Sequence, residues 1–171
     1  MEIDLDNRQR RERPEMGPLG ALVLFLATQA RRRVPSRDRA WDRISVILVD
    51  DLQIRRIKQR YFGPDEVTDV IALPYRHIPG STDAVAGEVF INIARARLLG
   101  RRFGGPAREF ALYIAHGLDH LTGATDGTAR TRRRMRRREL RWVALAAQQG
   151  LLSGIFSTVS SKTKPQVLRH A

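Results

Sequence analysis

Two histidines four residues apart, His116 and His120, lie in the run IAHGLDHLTGATD (residues 114–126), and Asp126 follows six residues after the second. In an α-helix such a pair is offset by about 40° around the axis and about 6 Å along it. Both imidazoles then project from one face and can reach one cation at roughly 2.0–2.1 Å. Two ligands from one helix leave the far side of the ion open. Gly123 would break the helix and allow Asp126 to return as a third ligand. Three protein ligands and one open position are the catalytic rather than the structural zinc pattern. Two core histidines followed by a capping aspartate fit the same letters, and the residue types alone leave both readings open.

The spacing makes this a zincin-like histidine helix, but one that differs from the protease motif H-E-x-x-H. There the residue after the first histidine is a glutamate acting as general base; here it is Gly117. Glycine inside a helix costs about 1 kcal/mol relative to alanine. A substrate or another backbone approaching closely at that point would explain it, and peptide hydrolysis by the usual route loses its base. Asp119, three residues after His116, reads as a solvated surface carboxylate or as a partner orienting an imidazole.

The elements that must hold these residues come from a chain of 171 residues with no cysteine and 42% hydrophobic content. That suits one ordinary globular domain and excludes a disulfide frame, a disulfide-linked partner and a thiolate metal site. Thirty-one Lys and Arg against eighteen Asp and Glu give a formal charge of +13. Arginine supplies nearly all of the excess, and its planar fork suits phosphate oxygens, so a nucleic-acid partner is the natural reading. No run is long and apolar enough to span a bilayer. GPLGALVLFLATQA (Gly17 to Ala30) has the length of a signal-peptide core, but the charged residues on both sides favour a buried helix in a cytoplasmic protein.

Residues 1–16 are polar and read as a flexible segment, 17–149 as the folded domain, and 150–171 as a tail. Helical spacing predicts a first helix from about Pro18 to Arg33. WDRISVILVD predicts a strand buried on both faces. A helix capped by Asp50 or Asp51 follows to Tyr61, with Leu52, Ile54, Ile57 and Tyr61 on one side. TDVIALPY and AGEVFINI predict two more strands. Three helices complete the chain: Ala94 to Arg102, one with Pro106 in its first turn that stops at Gly123, and Thr128 to Gln149. The fold class is α+β, a single domain with a small mixed sheet and helices on both sides.

Several stretches together resemble the YbeY family, metal-dependent endoribonucleases and ribosomal-RNA maturation factors of bacteria. HGLDHLTGATD is similar to the family motif H-G-x-L-H-L-x-G-x-D-H. ISVILVDDLQIRRIKQRYFG resembles the family's first strand and following helix, TDVIALP its T-D-V-L-S-F-P strand, and AGEVFIN its G-D-I-x-I-S strand. RRRMRRRE resembles the start of its last helix. The likeness runs in unbroken order from about residue 17 to 148.

That resemblance implies a zinc site and cleavage of single-stranded RNA in ribosome maturation, including the 3′ end of the small-subunit RNA. The ribosomal small subunit would be the partner. The first two family ligands fall on His116 and His120; the third, a histidine in the family, is Asp126 here. Aspartate is a harder ligand that accepts zinc or manganese. The family's leucine between the histidines is Asp119, and the aspartate before its third ligand is Thr125. An arginine shortly before the T-D-V strand falls on Phe62, with Arg60 two residues earlier as the substitute that could hold a phosphate. Glu88 matches an acidic family position and is a candidate general base. Thr68 and Asp69 begin a strand, where Asp69 caps the turn or lines the cleft.

ARTRRRMRRRELR packs eight arginines between Ala129 and Arg141. They wrap most of the helix and leave Met135, Trp142, Val143 and Ala146 for the core. Arg132, Arg133, Arg136 and Arg137 are the candidate RNA contacts, with a solvated charged face as the alternative. His77 and His170 read as bystanders. The function that follows is a metal-dependent endoribonuclease; the alternative is an RNA-binding assembly factor with a structural metal and little or no nuclease activity.

Overall fold

The computed structural model describes residues 1–34, 41, 43–75, 85–102 and 104–156. Its elements run β1 (Glu2–Asn7), α1 (Met16–Arg31), β2 (Arg43–Val49), α2 (Asp51–Phe62), β3 (Val70–Pro74), β4 (Val85–Asn92), α3 (Ile93–Gly100), α4 (Pro106–Leu121) and α5 (Ala129–Gln148). Among the described residues that is an α+β domain of five α-helices and one four-stranded mixed sheet.

The helix boundaries are set by local chemistry. Asp50 and Gln53 cap each other at the start of α2: Gln53 N–H donates to Asp50 Oδ1 at 2.8 Å and Asp50 N–H to Gln53 Oε1 at 3.0 Å. Thr128 and Thr131 form the same reciprocal cap on α5. Each arrangement satisfies amide donors that the first helical turn would leave without partners. Pro106 opens α4, where its missing N–H costs nothing.

The strand order is β1-β2-β4-β3. β1 and β2 are parallel, as are β2 and β4, whereas β3 runs antiparallel to β4 along one edge. Side chains alternate across the sheet and divide the core in two. Ile44, Val46 and Leu48 of β2 join Val89 and Ile91 of β4 against α1, α4 and α5. Ile47 and Val49 join Ile71 and Phe90 against Ile54 of α2. Helices therefore cover both faces, and β2 is buried on both. Burying each large aliphatic side chain is worth roughly 1.5–3 kcal/mol. Phe110, Leu112, Ile114 and Leu118 concentrate that contribution in α4, the helix that carries the histidines.

Residues 1–16 do not lie outside the fold. Their alternation EIDLDN places Ile3 and Leu5 toward the α1 core while Glu2 and Asp4 point the other way, and backbone pairing with β2 holds them. Residues 150–156 are likewise part of the domain. Ile155 is fully buried, Phe156 packs on Phe110 with ring centroids 5.7 Å apart, and Glu15 N–H donates to Ile155 O at 2.8 Å. The rest of the expected tail, with His170, and the loop carrying His77 lie outside the described residues. Along α2, Leu52 and Tyr61 are exposed and only Ile54 of the expected apolar side is buried.

Candidate metal centre

α4 crosses the sheet so that its C-terminal end lies against β3 and β4, and Gly117 makes the crossing possible. A Cβ on Gly117 would overlap Val89 Cγ1 and lie 3.1 Å from Val70 Cγ2. The glycine makes room for sheet side chains, not for a substrate or another backbone. Gly123, with φ of +83°, then ends the helix, its N–H donating to His120 O at 2.9 Å. The turn it opens carries Asp126 back over the helix end.

His116 and His120 meet at that end, Nε2 to Nε2 at 3.1 Å with ring planes nearly perpendicular. Both Nδ1 atoms are already engaged. His120 Nδ1–H donates to the Ala124 carbonyl at 3.0 Å, and a carbonyl has no proton to give. His116 Nδ1–H donates to Glu139 Oε1 of α5 at 2.7 Å. Those bonds select the tautomer with the hydrogen on Nδ1, so two Nε2 lone pairs point at each other. Between two neutral rings that arrangement is repulsive, and a proton or a metal cation between the nitrogens relieves it. Two nitrogens on a tetrahedral zinc sit about 3.3 Å apart for bonds of the usual length. A carboxylate oxygen of Asp126 and one ring nitrogen from each histidine lie within 4.8 Å of one another. The negative end of the α4 dipole also favours a cation here. The donor set fits a divalent ion.

Burial acts against a charged His116 ring. The hydrogen bond and charge of Glu139, followed by the charges of Asp126 and Asp119, outweigh it and raise the pKa above the usual 6.5. A ring with enhanced basicity is a stronger ligand once it has lost the proton. Glu139 was legible only indirectly, as the one acid among the arginines and in phase with Met135 and Trp142 on the buried face of α5.

Asp119 is not a solvated carboxylate, nor does it orient a ring. It is fully buried and receives Arg138 Nε at 3.1 and 3.0 Å, Arg138 Nη2, and Arg33 Nε at 3.3 Å. This clamp ties the histidine helix to α5 and to the end of α1.

Two clefts flank His116. One, about 450 Å³, runs between α4 and the β3 edge and is lined by Lys58, Phe62, Thr68, Val70, Ala72, His116 and His120 among others. The other, about 490 Å³, faces α5 and holds Asp69, Tyr113, His116, Asp126, Arg132, Arg136 and Glu139. Asp69 lines this second cleft and pairs with Arg95 rather than serving only the turn. Arg132 and Arg136 thus line the same cleft as His116, whereas Arg133 and Arg137 are exposed and line neither cleft. Arg134, not singled out from the sequence, flanks Ala124 and Thr125 on a third, smaller pocket.

The structure does not bring Glu88 or Arg60 to the imidazoles. Beyond Gly87, β4 alternates so that Val89 and Ile91 face α4, leaving Glu88 on the α2 side with Phe90. There Glu88 faces Tyr75, whose pKa is pushed up to about 12 by burial and then by that carboxylate. Arg60 is exposed and stacks 5.8 Å from the Tyr61 ring centroid. The cation that α2 presents to the cleft is Lys58, ion-paired with Glu66.

Fold and site together define a class: small α+β domains with a candidate divalent-metal centre built on one helix and backed by another. The chain belongs to the YbeY family, whose model, described as Endoribonuclease YbeY, matches residues 6–145. It is 36% identical over 131 residues to an Endoribonuclease YbeY of an Anaeromyxobacter species, covering 74% of this chain and 65% of the relative. It is 32% identical over 114 residues to the Endoribonuclease YbeY of Myxococcus xanthus, covering 65% of this chain and 39% of the relative. The chain therefore spans less than two-thirds of the length of these relatives. The solution structure of TM1509 from Thermotoga maritima shares the fold, with a TM-score of 0.59 over 94% of this chain and 99% of that one, at 18% identity. Among the described residues no helix is long and apolar enough to cross a membrane.

Proposed function

We propose that this chain is a metal-dependent endoribonuclease that cuts single-stranded RNA in ribosomal RNA maturation, at the 3′ end of the small-subunit RNA. It would act in the cytoplasm on the ribosomal small subunit. The observation that carries the reading is the facing pair of Nε2 atoms on His116 and His120, 3.1 Å apart, with each ring held by a bond at its own Nδ1. The names borne by the relatives supply the substrate class.

His116, His120 and Asp126 would hold the ion, which we assign as zinc, with manganese as the alternative. When bound, it supplies Lewis acidity toward a phosphoryl oxygen and lowers the pKa of a coordinated water. The remaining roles fall to the chain itself. Glu139 and the Ala124 carbonyl orient the imidazoles, and the Asp119 clamp holds the helix that bears them. Arg132 and Arg136 engage phosphates beside His116, contributing charge without base preference. The result is a zincin-like histidine helix without the glutamate that a protease needs after its first histidine.

The test uses full-length protein purified without chelator, assayed for metal content and incubated with single-stranded RNA. Cuts that vanish on chelation and in His116→Ala, while a gel shift persists, support the proposal. Equal cutting by His116→Ala overturns it. Intact RNA with a salt-sensitive shift from the metal-loaded protein overturns it in favour of an RNA-binding assembly factor.

A further inference from the structure

The cleft between α4 and the β3 edge differs in character from the one facing α5. Its walls are Val70, Ala72 and Phe62, its floor the two imidazoles, and its volume of about 450 Å³ is in the range of ligand sites, roughly 300–1,000 Å³. Phe62 ends α2 with 56% of its surface exposed, at the rim of the cleft. The ring has no polar handle and lines the same cleft as the two imidazoles, so it offers that cleft a flat apolar face. Lys58, the charged side chain that joins these walls, is neutralised by Glu66. No guanidinium lines this cleft, whereas Arg132 and Arg136 line the one on the other side of His116, so these surroundings suit a flat, uncharged ligand rather than a phosphate.

We infer that this cleft is a nucleobase subsite: the base of a nucleotide flanking the phosphate at the imidazoles stacks on Phe62. The backbone then crosses His116 toward Arg132 and Arg136. Every base offers a π-face, so the subsite favours unpaired over duplex RNA with little preference for sequence. The inference rests on the single-stranded RNA reading above, since that reading supplies the ligand class.

The test uses full-length protein and a short single-stranded RNA carrying 2-aminopurine at one position, moved along the strand. Binding and fluorescence are followed by stopped flow before any cutting. Wild type should quench the probe at one position. Phe62→Ala should lose that quench and bind about tenfold more weakly, within the roughly 5- to 150-fold that one base–aromatic stack contributes. Phe62→Tyr should retain both, and an abasic residue at the quenched position should make wild type and Phe62→Ala bind alike. Because Phe62 is exposed, its replacement leaves the core intact. Unchanged quenching and affinity in Phe62→Ala, or an equal loss on the abasic strand, overturns the subsite alone. Failure of wild type to bind single-stranded RNA overturns the subsite together with the reading it rests on.

Discussion

Nδ1 of His116 donates to Oε1 of Glu139 across the α4–α5 interface, at 2.7 Å, with the carboxylate 2% exposed. One bond thus fixes a ring orientation, selects its tautomer and joins the histidine helix to the arginine-rich helix.

Glu139→Ala should weaken metal binding about 10–100-fold, the usual cost of removing a group that orients a ligating histidine. Competition against a chromophoric chelator measures it. Glu139→Gln, whose amide oxygen can still accept the Nδ1 hydrogen, should lose less. Equal affinity in wild type and Glu139→Ala would show that the ring is held by its own packing.

The same contact sets a pH dependence. In metal-free protein the His116 pKa lies above 6.5. A pKa raised on folding contributes stability that is fully present below the unfolded value and lost as pH rises through the folded one. Metal must displace that proton, so affinity should rise with pH through the same interval. An NMR titration of the ring should show the raised value in wild type and a lower one in Glu139→Gln.

Asp119→Ala leaves Arg138 and Arg33 facing a vacated, buried position. Breaking a buried pair from one side costs about 3–5 kcal/mol, and the partial exposure of both arginines places the loss near the lower figure. Replacing Asp119 and Arg138 together with leucine should recover part of it, because the more buried arginine is then removed with its partner and only Arg33, the more exposed of the two, loses its carboxylate. Urea denaturation of the three proteins decides the matter, with a neutral Asp119→Ala as the contrary result.

Arg132→Ala with Arg136→Ala should reduce the slope of log affinity for single-stranded RNA against log salt by about 1.4, or roughly 0.7 per phosphate contact. Arg133→Ala with Arg137→Ala should change it less, since those side chains line neither cleft. Equal changes would mean that the whole helix acts as a diffuse cationic rod.

The amino-acid sequence by itself determined the local features: where α2, α4 and α5 begin and end, that β2 is buried on both faces, and that His116 and His120 share one side of a helix. Capping residues, helix-breaking glycine and apolar periodicity act over a few neighbours, so they can be read within a few neighbours. Only the tertiary structure decided what those pieces meet. β1 is short and acidic and is held by a ladder to β2 forty-one residues away, beyond the reach of local propensity. Gly117 is required by two valines on other strands, and Asp119 is buried by arginines nineteen residues after it and eighty-six before. Glu88 and Glu139 are both single acids in suggestive places; strand alternation turned one away from the imidazoles, and the packing of α5 on α4 brought the other against them. A side chain's type is written in the chain, but its partner is chosen by packing, which depends on all the elements together.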